Sequence, residues 1–168
     1  MRLSPEIYTK PAVDLAPLLL GKTLCRCIDG EIIRRRITET EAYVGESDTA
    51  CHAHKGKTLR TSVMYEQGGI AYIYLCYGIH NLLNVVAGDI GEPEAVLIRA
   101  LESISGPGRL TKAFKIDRAL NRESFITSDS LWLEEGEPFP FTATPRIGIG
   151  YASEKDQKRL LRFVANGV

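Results

Sequence analysis

Apolar and polar residues alternate with a period of two along most of this chain, and turn signals cut the alternation into short runs, a pattern of strands more than of long helices. Residues 22–28 and 31–43 read as two strands joined by Asp29-Gly30, a strong short hairpin signal. Gln67-Gly68-Gly69 opens an aromatic-rich strand at 70–77, Gly78 permits a reversal into residues 81–87, and Gly91-Glu92-Pro93 turns the chain into a strand at 95–101. Two further strands are expected at 131–133 and 146–149. Helical signals are weaker: residues 13–20 with Asp14 as candidate cap and Gly21 as stop, residues 109–114 after Gly106-Pro107-Gly108, and a basic amphipathic tail at 155–164. A polar loop fills 45–62, and the chain shows no internal repeat. Together these elements predict one α+β domain over residues 1–168, a curved, mainly antiparallel sheet flanked by short helices, with a protruding β-hairpin.

The segment Arg36-Ile-Thr-Glu-Thr-Glu-Ala-Tyr43 stands out. On a strand, Glu39, Glu41 and Tyr43 point one way, and Thr38, Thr40 and Ala42 point the other. Neither face is apolar, and local rules broken in this way cluster at functional sites. An edge strand carrying solvated acids is the plain structural alternative. In the strand at 70–77, Tyr72 and Tyr74 share a face, while Tyr77 stands at the turn beside Gly78. Tyrosines within a sheet commonly pack in cores. One at a hairpin tip has less to pack on, and an exposed ring there can wedge between stacked bases.

With 168 residues, 44% apolar and 25% charged, the chain has the size of one domain with a full core. Its first residues lack the apolar run of a signal peptide, and no segment nears the roughly 18 apolar residues that span a bilayer. A soluble, cytoplasmic protein without membrane contact is expected, nuclear if the source is eukaryotic. Cys25, Cys27, Cys51 and Cys76 lack CxxC spacing, which fits reduced thiols, and Cys51-His52-Ala53-His54 matches no zinc-finger or ribbon spacing.

Lys plus Arg and Asp plus Glu both number 21, a balance that at first argues against a nucleic-acid partner. The charges are segregated, however. Residues 49–65 carry only Lys55, Lys57 and Arg60, residues 99–122 carry six bases against Glu102 and Asp117, and residues 123–137 carry five acids and no base. A neutral chain can therefore present one basic face. Lys55, Lys57, Arg60, Arg109 and Lys112 are the candidates for contacts to a phosphate backbone, the last two on a helix whose N-terminus suits an anion.

A carboxylate (Glu41), flanking aromatics (Tyr43, Tyr74), a histidine (His52) and a projecting tyrosine (Tyr77) are the residue types an enzyme needs to work on a base inside a duplex. It must swing the base out, hold it between flat side chains and fill the gap. Thr38-Glu-Thr-Glu-Ala-Tyr43, Ala50-Cys-His52, Tyr72-Ile-Tyr74, Tyr77-Gly78, Asn84 and Val96-Leu-Ile-Arg-Ala-Leu-Glu102 resemble the motifs of the alkyladenine (3-methyladenine) DNA glycosylase family. Gly106-Pro-Gly-Arg-Leu110 and Arg146-Ile-Gly-Ile-Gly150 extend the likeness over nearly the whole chain.

The resemblance implies a monofunctional enzyme that removes alkylated or deaminated purines from double-stranded DNA with no metal or cofactor, and a monomer is expected. By the same mapping Glu41 activates water for attack on the sugar C1′ and Arg99 helps to place that water. Tyr43, His52 and Tyr74 sandwich the flipped base, the backbone near Ala50 and His52 reads its edge, Asn84 obstructs the amino group of guanine, and Tyr77 is the wedge. Glu39 carries no catalytic role. The chain departs from the family in its short link through Glu102-Ser-Ile-Ser105, which points to weaker DNA affinity, and in His80 beside the wedge, which would add a modest pH dependence.

Two rival readings meet the same residues. A glycoside hydrolase could use Glu39 and Glu41 as acid and base, but side chains two apart on a strand are spaced about 6.6 Å along one surface, whereas the acids of such enzymes flank the sugar from opposite sides. A binding module for damaged or single-stranded nucleic acid would stack bases, yet stacking alone needs neither Glu41 nor Arg99.

Overall fold

Asp29 and Gly30 both take left-handed φ angles, +51° and +83°, so β1 (Thr23–Ile28) folds directly back as β2 (Glu31–Val44). The structure, a computed structural model, describes all 168 residues. The hairpin of β3 (Ala71–Cys76) and β4 (His80–Ala87) follows, then β5 (Glu94–Leu101), the two-residue β6 (Ile104–Ser105), β7 (Leu131–Glu134), β8 (Phe141–Thr144) and β9 (Arg162–Ala165). All pair antiparallel, in the order β3-β4-β5-β2-β1-β7, with β6 on β5 and β8 on β9.

β2 is the hub of this α+β fold. One of its edges pairs with β5, while the other pairs first with β1 and then, over Glu39, Thr40 and Glu41, with β9. The acids therefore sit in a strand hydrogen-bonded on both sides, which excludes the solvated-edge alternative. The pairing with β5 slips between Ile37 and Glu39 and again between Glu39 and Thr40, and the first slip leaves Thr38 as an extra residue in β2. Before it Ile33 and Ile37 face the main core, and after it Thr40 and Ala42 face inward. An extra residue in one strand swaps the faces of everything beyond it, and this bulge is what turns Glu39, Glu41 and Tyr43 out of the core.

The core lies between the sheet and α1 (Ala12–Leu18), with Leu15, Leu19, Leu24, Ile37, Leu83 and Ile98 fully buried. Thr40, the polar residue on the core face, donates its hydroxyl to the Ala16 carbonyl of α1 at 2.8 Å. The expected cap at Asp14 is not formed. α1 starts at Ala12 behind Pro11, whose φ of −56° already suits a helix, and the first free N–H, Ala12, donates to the Glu94 carboxylate at 2.7 Å. Asp14 falls in the first turn, where a carboxylate favours the helix dipole.

Three other expectations are corrected. Residues 146–149 do not form a strand, because Gly148 takes φ +73° and the segment turns. The tail is helical only over α3 (Glu154–Lys158) before becoming β9, where Phe163 and Ala165 are buried. The helix placed at 109–114 is α2 (Pro107–Ala113), starting two residues earlier because Pro107 is preset for a first turn. The short link is a tight turn, with Ser103 at φ +65° and Leu101 paired to Ile104.

Between β3 and β4 the chain reverses through Tyr77, Gly78 and Ile79. Tyr77 and Gly78 have φ +53° and +66°, and Tyr77 is 87% exposed. This is the protruding hairpin. At its base the His80 ring packs on α2 at Gly108, where an added Cβ would come within 2.9 Å of the ring.

Candidate active site

One cleft of about 940 Å³ lies over the outer face of β2 and β5. β2 contributes Tyr43, β5 Leu97 and Arg99, β3 Tyr74, the polar loop Ala50 and His52, and the turn at 146–149 Ile147. Tyr77 stands at its rim. Thus the structure gathers residues spread over more than a hundred positions.

Glu41 is fully shielded beneath the floor of this cleft. The Tyr43 hydroxyl donates to its Oε1 at 2.8 Å, the Ile147 N–H donates to its Oε2 at 2.7 Å, and Arg99 Nη1 stands 3.5 Å from Oε1. All three partners line the cleft. Burial, followed by the adjacent Glu41 charge, raises the Tyr43 phenol well above its ordinary value, so it stays a donor.

His52 and Tyr74 pack edge to face with ring centroids 4.5 Å apart. They therefore form one aromatic wall of the cleft that Tyr43 also lines. The His52 Nδ1 is 2.8 Å from the Tyr72 hydroxyl, which fixes the imidazole. Burial first, then the Arg60 and Lys55 cations, push His52 down to about 4, leaving the ring neutral at physiological pH.

Asn84 does not line the large cleft. It is buried on β4, donates to the Tyr72 carbonyl at 3.2 Å, and borders a recess of about 30 Å³ shared with Tyr43, Ala50, His52 and Tyr74. Both backbone groups of Ala50 already have a partner: its N–H donates to Asp48 Oδ1 at 3.1 Å and its carbonyl accepts the Tyr151 hydroxyl at 2.7 Å. Of these two groups the carbonyl keeps a second lone pair.

Of the basic candidates, Lys55, Arg60 and Arg109 border the cleft, with the Arg60 guanidinium 5.1 Å from the Tyr74 ring centroid. Lys57, whose ammonium lies 5.4 Å from the Tyr65 ring, and Lys112 on α2 are exposed but outside the cleft lining.

Sequence reasoning missed the element that holds the site together. Asp48 and Arg146, both fully buried, form a bidentate pair at 2.6 and 2.9 Å. Asp48 also accepts the Val44 and Ala50 N–H groups at 3.1 Å each, and Arg146 donates to the Ala42 carbonyl at 3.0 Å. The Arg146 guanidinium lies 4.9 Å from the Tyr43 ring centroid, supporting the cleft wall from behind. The one signal available was Arg146 itself within a motif, with nothing to name its partner.

A basic rim, aromatic walls and a buried carboxylate on a curled antiparallel sheet are the equipment of a glycosylase. Comparison with known proteins places the chain more closely. The family model described as Methylpurine-DNA glycosylase (MPG) matches residues 6–106 and 102–168, and the chain belongs to that family. Relatives that each carry the name "Putative 3-methyladenine DNA glycosylase" include one from Psychrobacter cryohalolentis, 40% identical over 96% of this chain and 91% of its own length. One from Borreliella burgdorferi is 45% identical over 93% and 91%, and one from Methanocella arvoryzae is 44% identical over 96% and 90%. The chain is accordingly a DNA-repair glycosylase, a hydrolase of N-glycosyl bonds. No helix in it is long and apolar enough to cross a membrane.

Proposed function

We propose that this enzyme draws alkylated or deaminated purine nucleotides out of duplex DNA into the cleft and hydrolyses the N-glycosyl bond with water activated by Glu41, leaving an abasic site. The observation that carries the reading is the placement of Glu41, a carboxylate tied at both oxygens and surrounded by three residues that line an aromatic cleft.

The flipped purine stacks on Tyr43, with the His52–Tyr74 wall on its other face, while Tyr77 fills the vacated space in the duplex. Asn84, fixed by the Tyr72 carbonyl, borders the recess at the base of this slot and screens exocyclic groups. Water oxygen bonds to C1′, the C1′–N9 bond breaks with its electron pair passing to the purine, and Glu41 takes the water proton. Negative charge beneath C1′ also stabilises the oxocarbenium character of the transition state. A purine alkylated at N3 or N7 is a cation, so the departing pair neutralises it and little acid assistance is needed. A neutral His52 adds no like charge against that cation. The groups that touch Glu41 are the Tyr43 phenol, Arg99 and the Ile147 N–H, none of them an amine nucleophile, so the reaction ends at base release.

Single-turnover base release from duplex DNA carrying an N3- or N7-methylated purine, with alkali to reveal abasic sites, tests this reading. Wild type should release base, and Glu41→Gln should bind the lesion duplex without releasing it. Binding without release by wild type would instead make this a recognition module.

A further inference from the structure

Glu39 stands outside the machinery just described, yet it occupies the same face of β2, two residues before Glu41. Its Oε2 accepts from Arg99 Nε at 2.9 Å and from Arg162 Nε at 3.0 Å, and its Oε1 accepts from Arg162 Nη2 at 3.1 Å. Arg162, on β9, is itself anchored to β8 by its Nη1 bond to the Thr144 hydroxyl at 3.1 Å. Glu39 is thus gripped by a fork from the strand next door.

Arg99 lies between the two carboxylates and treats them unequally. Its bond to Glu39 has the length of a charge-assisted hydrogen bond, about 2.7–2.9 Å, whereas its Nη1 stops 3.5 Å from Glu41 Oε1. That separation leaves a donor on Arg99 and a lone pair on Glu41 not spent on each other. Both can hold one water. A guanidinium that lost Glu39 would have Glu41 as the carboxylate within reach, and Arg engages carboxylates by closing a fork on them. The closed pair would use the donor and the lone pair that the water needs.

We infer that Glu39, clamped by Arg162, is a positioning residue for hydrolysis: it holds Arg99 back from Glu41 and so keeps an Arg99 donor and a Glu41 lone pair for the attacking water. This inference rests on the proposed role of Glu41. It gives a task to a carboxylate that its motif position leaves without one, and it makes the β2–β9 pairing part of the catalytic apparatus.

Base release under single turnover, measured on methylated duplex DNA together with binding of the same duplex, separates this role from that of a strut joining two strands. Glu39→Gln should slow release by about 10- to 100-fold with binding unchanged, the scale on which a misplaced catalytic group costs rate. Arg162→Gln should slow it less. Neither change should slow release further when added to Arg99→Ala, because both act through Arg99. Should Glu39→Gln fail to fold, Arg162→Gln carries the same comparison. The inference is overturned if Glu39→Gln releases base at the wild-type rate, or if its effect persists undiminished in the Arg99→Ala background, as a strut would require. Failure of the underlying reading looks different: wild type itself would release nothing, or Glu41→Gln would remain active.

Discussion

Removal of the Asp48 carboxylate is the sharpest perturbation this structure offers. In Asp48→Ala the Arg146 guanidinium stays fully buried, with the Ala42 carbonyl, a long bond to the Asp156 carbonyl and the face of Tyr43 as its remaining contacts, and the Val44 and Ala50 N–H groups lose their acceptor. Breaking a buried ion pair by taking one partner costs about 3–5 kcal/mol, since the uncompensated charge remains. A domain of this kind has about 5–15 kcal/mol in total, so the loss is a large fraction. Urea unfolding followed by the fluorescence of Trp132, the single, buried tryptophan, reads it directly. At a slope near 2 kcal/mol/M, about 4 kcal/mol lowers Cm by about 2 M. Replacing both partners, Asp48→Leu with Arg146→Met, should recover part of that stability, because an apolar pair leaves no stranded charge although the Val44 and Ala50 N–H groups still lack an acceptor. The double variant should nonetheless release base poorly, as Tyr43 has lost its cationic backing and residues 44–50 their shared acceptor. A Cm shift below about 0.5 M for Asp48→Ala, or a double variant less stable than it, would refute the reasoning.

Tyr77→Ala should weaken binding to a lesion duplex by about 1–3 kcal/mol, the worth of one stacked aromatic, while leaving the melting temperature near wild type because the ring contacts solvent; unchanged affinity in an anisotropy titration would remove the wedge. His52 sets a pH dependence whose sign is fixed. Its folded value, about 4, lies below the ordinary 6.5, so between those limits the unfolded chain binds more protons and stability falls as pH falls through the window. Full at pH values above 6.5, the contribution lost by pH 4 is about 3 kcal/mol at most. The melting temperature of wild type relative to His52→Asn should therefore fall as pH drops from about 6.5 to about 4, and an offset independent of pH would contradict it.

Some of this molecule was legible one residue at a time. The period-two alternation marks β2, β3, β4 and β5, and Asp29-Gly30 and Tyr77-Gly78 mark their reversals, because alternation and turn chemistry are local properties of the chain. The same local pattern misled at residues 146–149, where two isoleucines alternate with glycine as in a strand. There Gly148 turns the backbone, and the Ile147 N–H serves Glu41 instead of a neighbouring strand. The basic tail misled in the same way: its amphipathic run ends after α3, and pairing of Glu39–Glu41 with Val164–Arg162 converts the remainder into β9.

What sequence alone determined is which residues share a face of a strand and which sit at a turn, including the alignment of Glu39, Glu41 and Tyr43. What only the tertiary structure decided is which way that face looks and what it meets. The bulge at Thr38 leaves no mark in composition, yet without it Glu41 would point into the core. Asp48 and Arg146 are separated by 98 residues, and Glu39 and Arg162 by 123, so each pair exists only once the sheet has closed and brought distant segments into register. Local propensities act over a few residues, whereas a buried ion pair is formed by the fold as a whole.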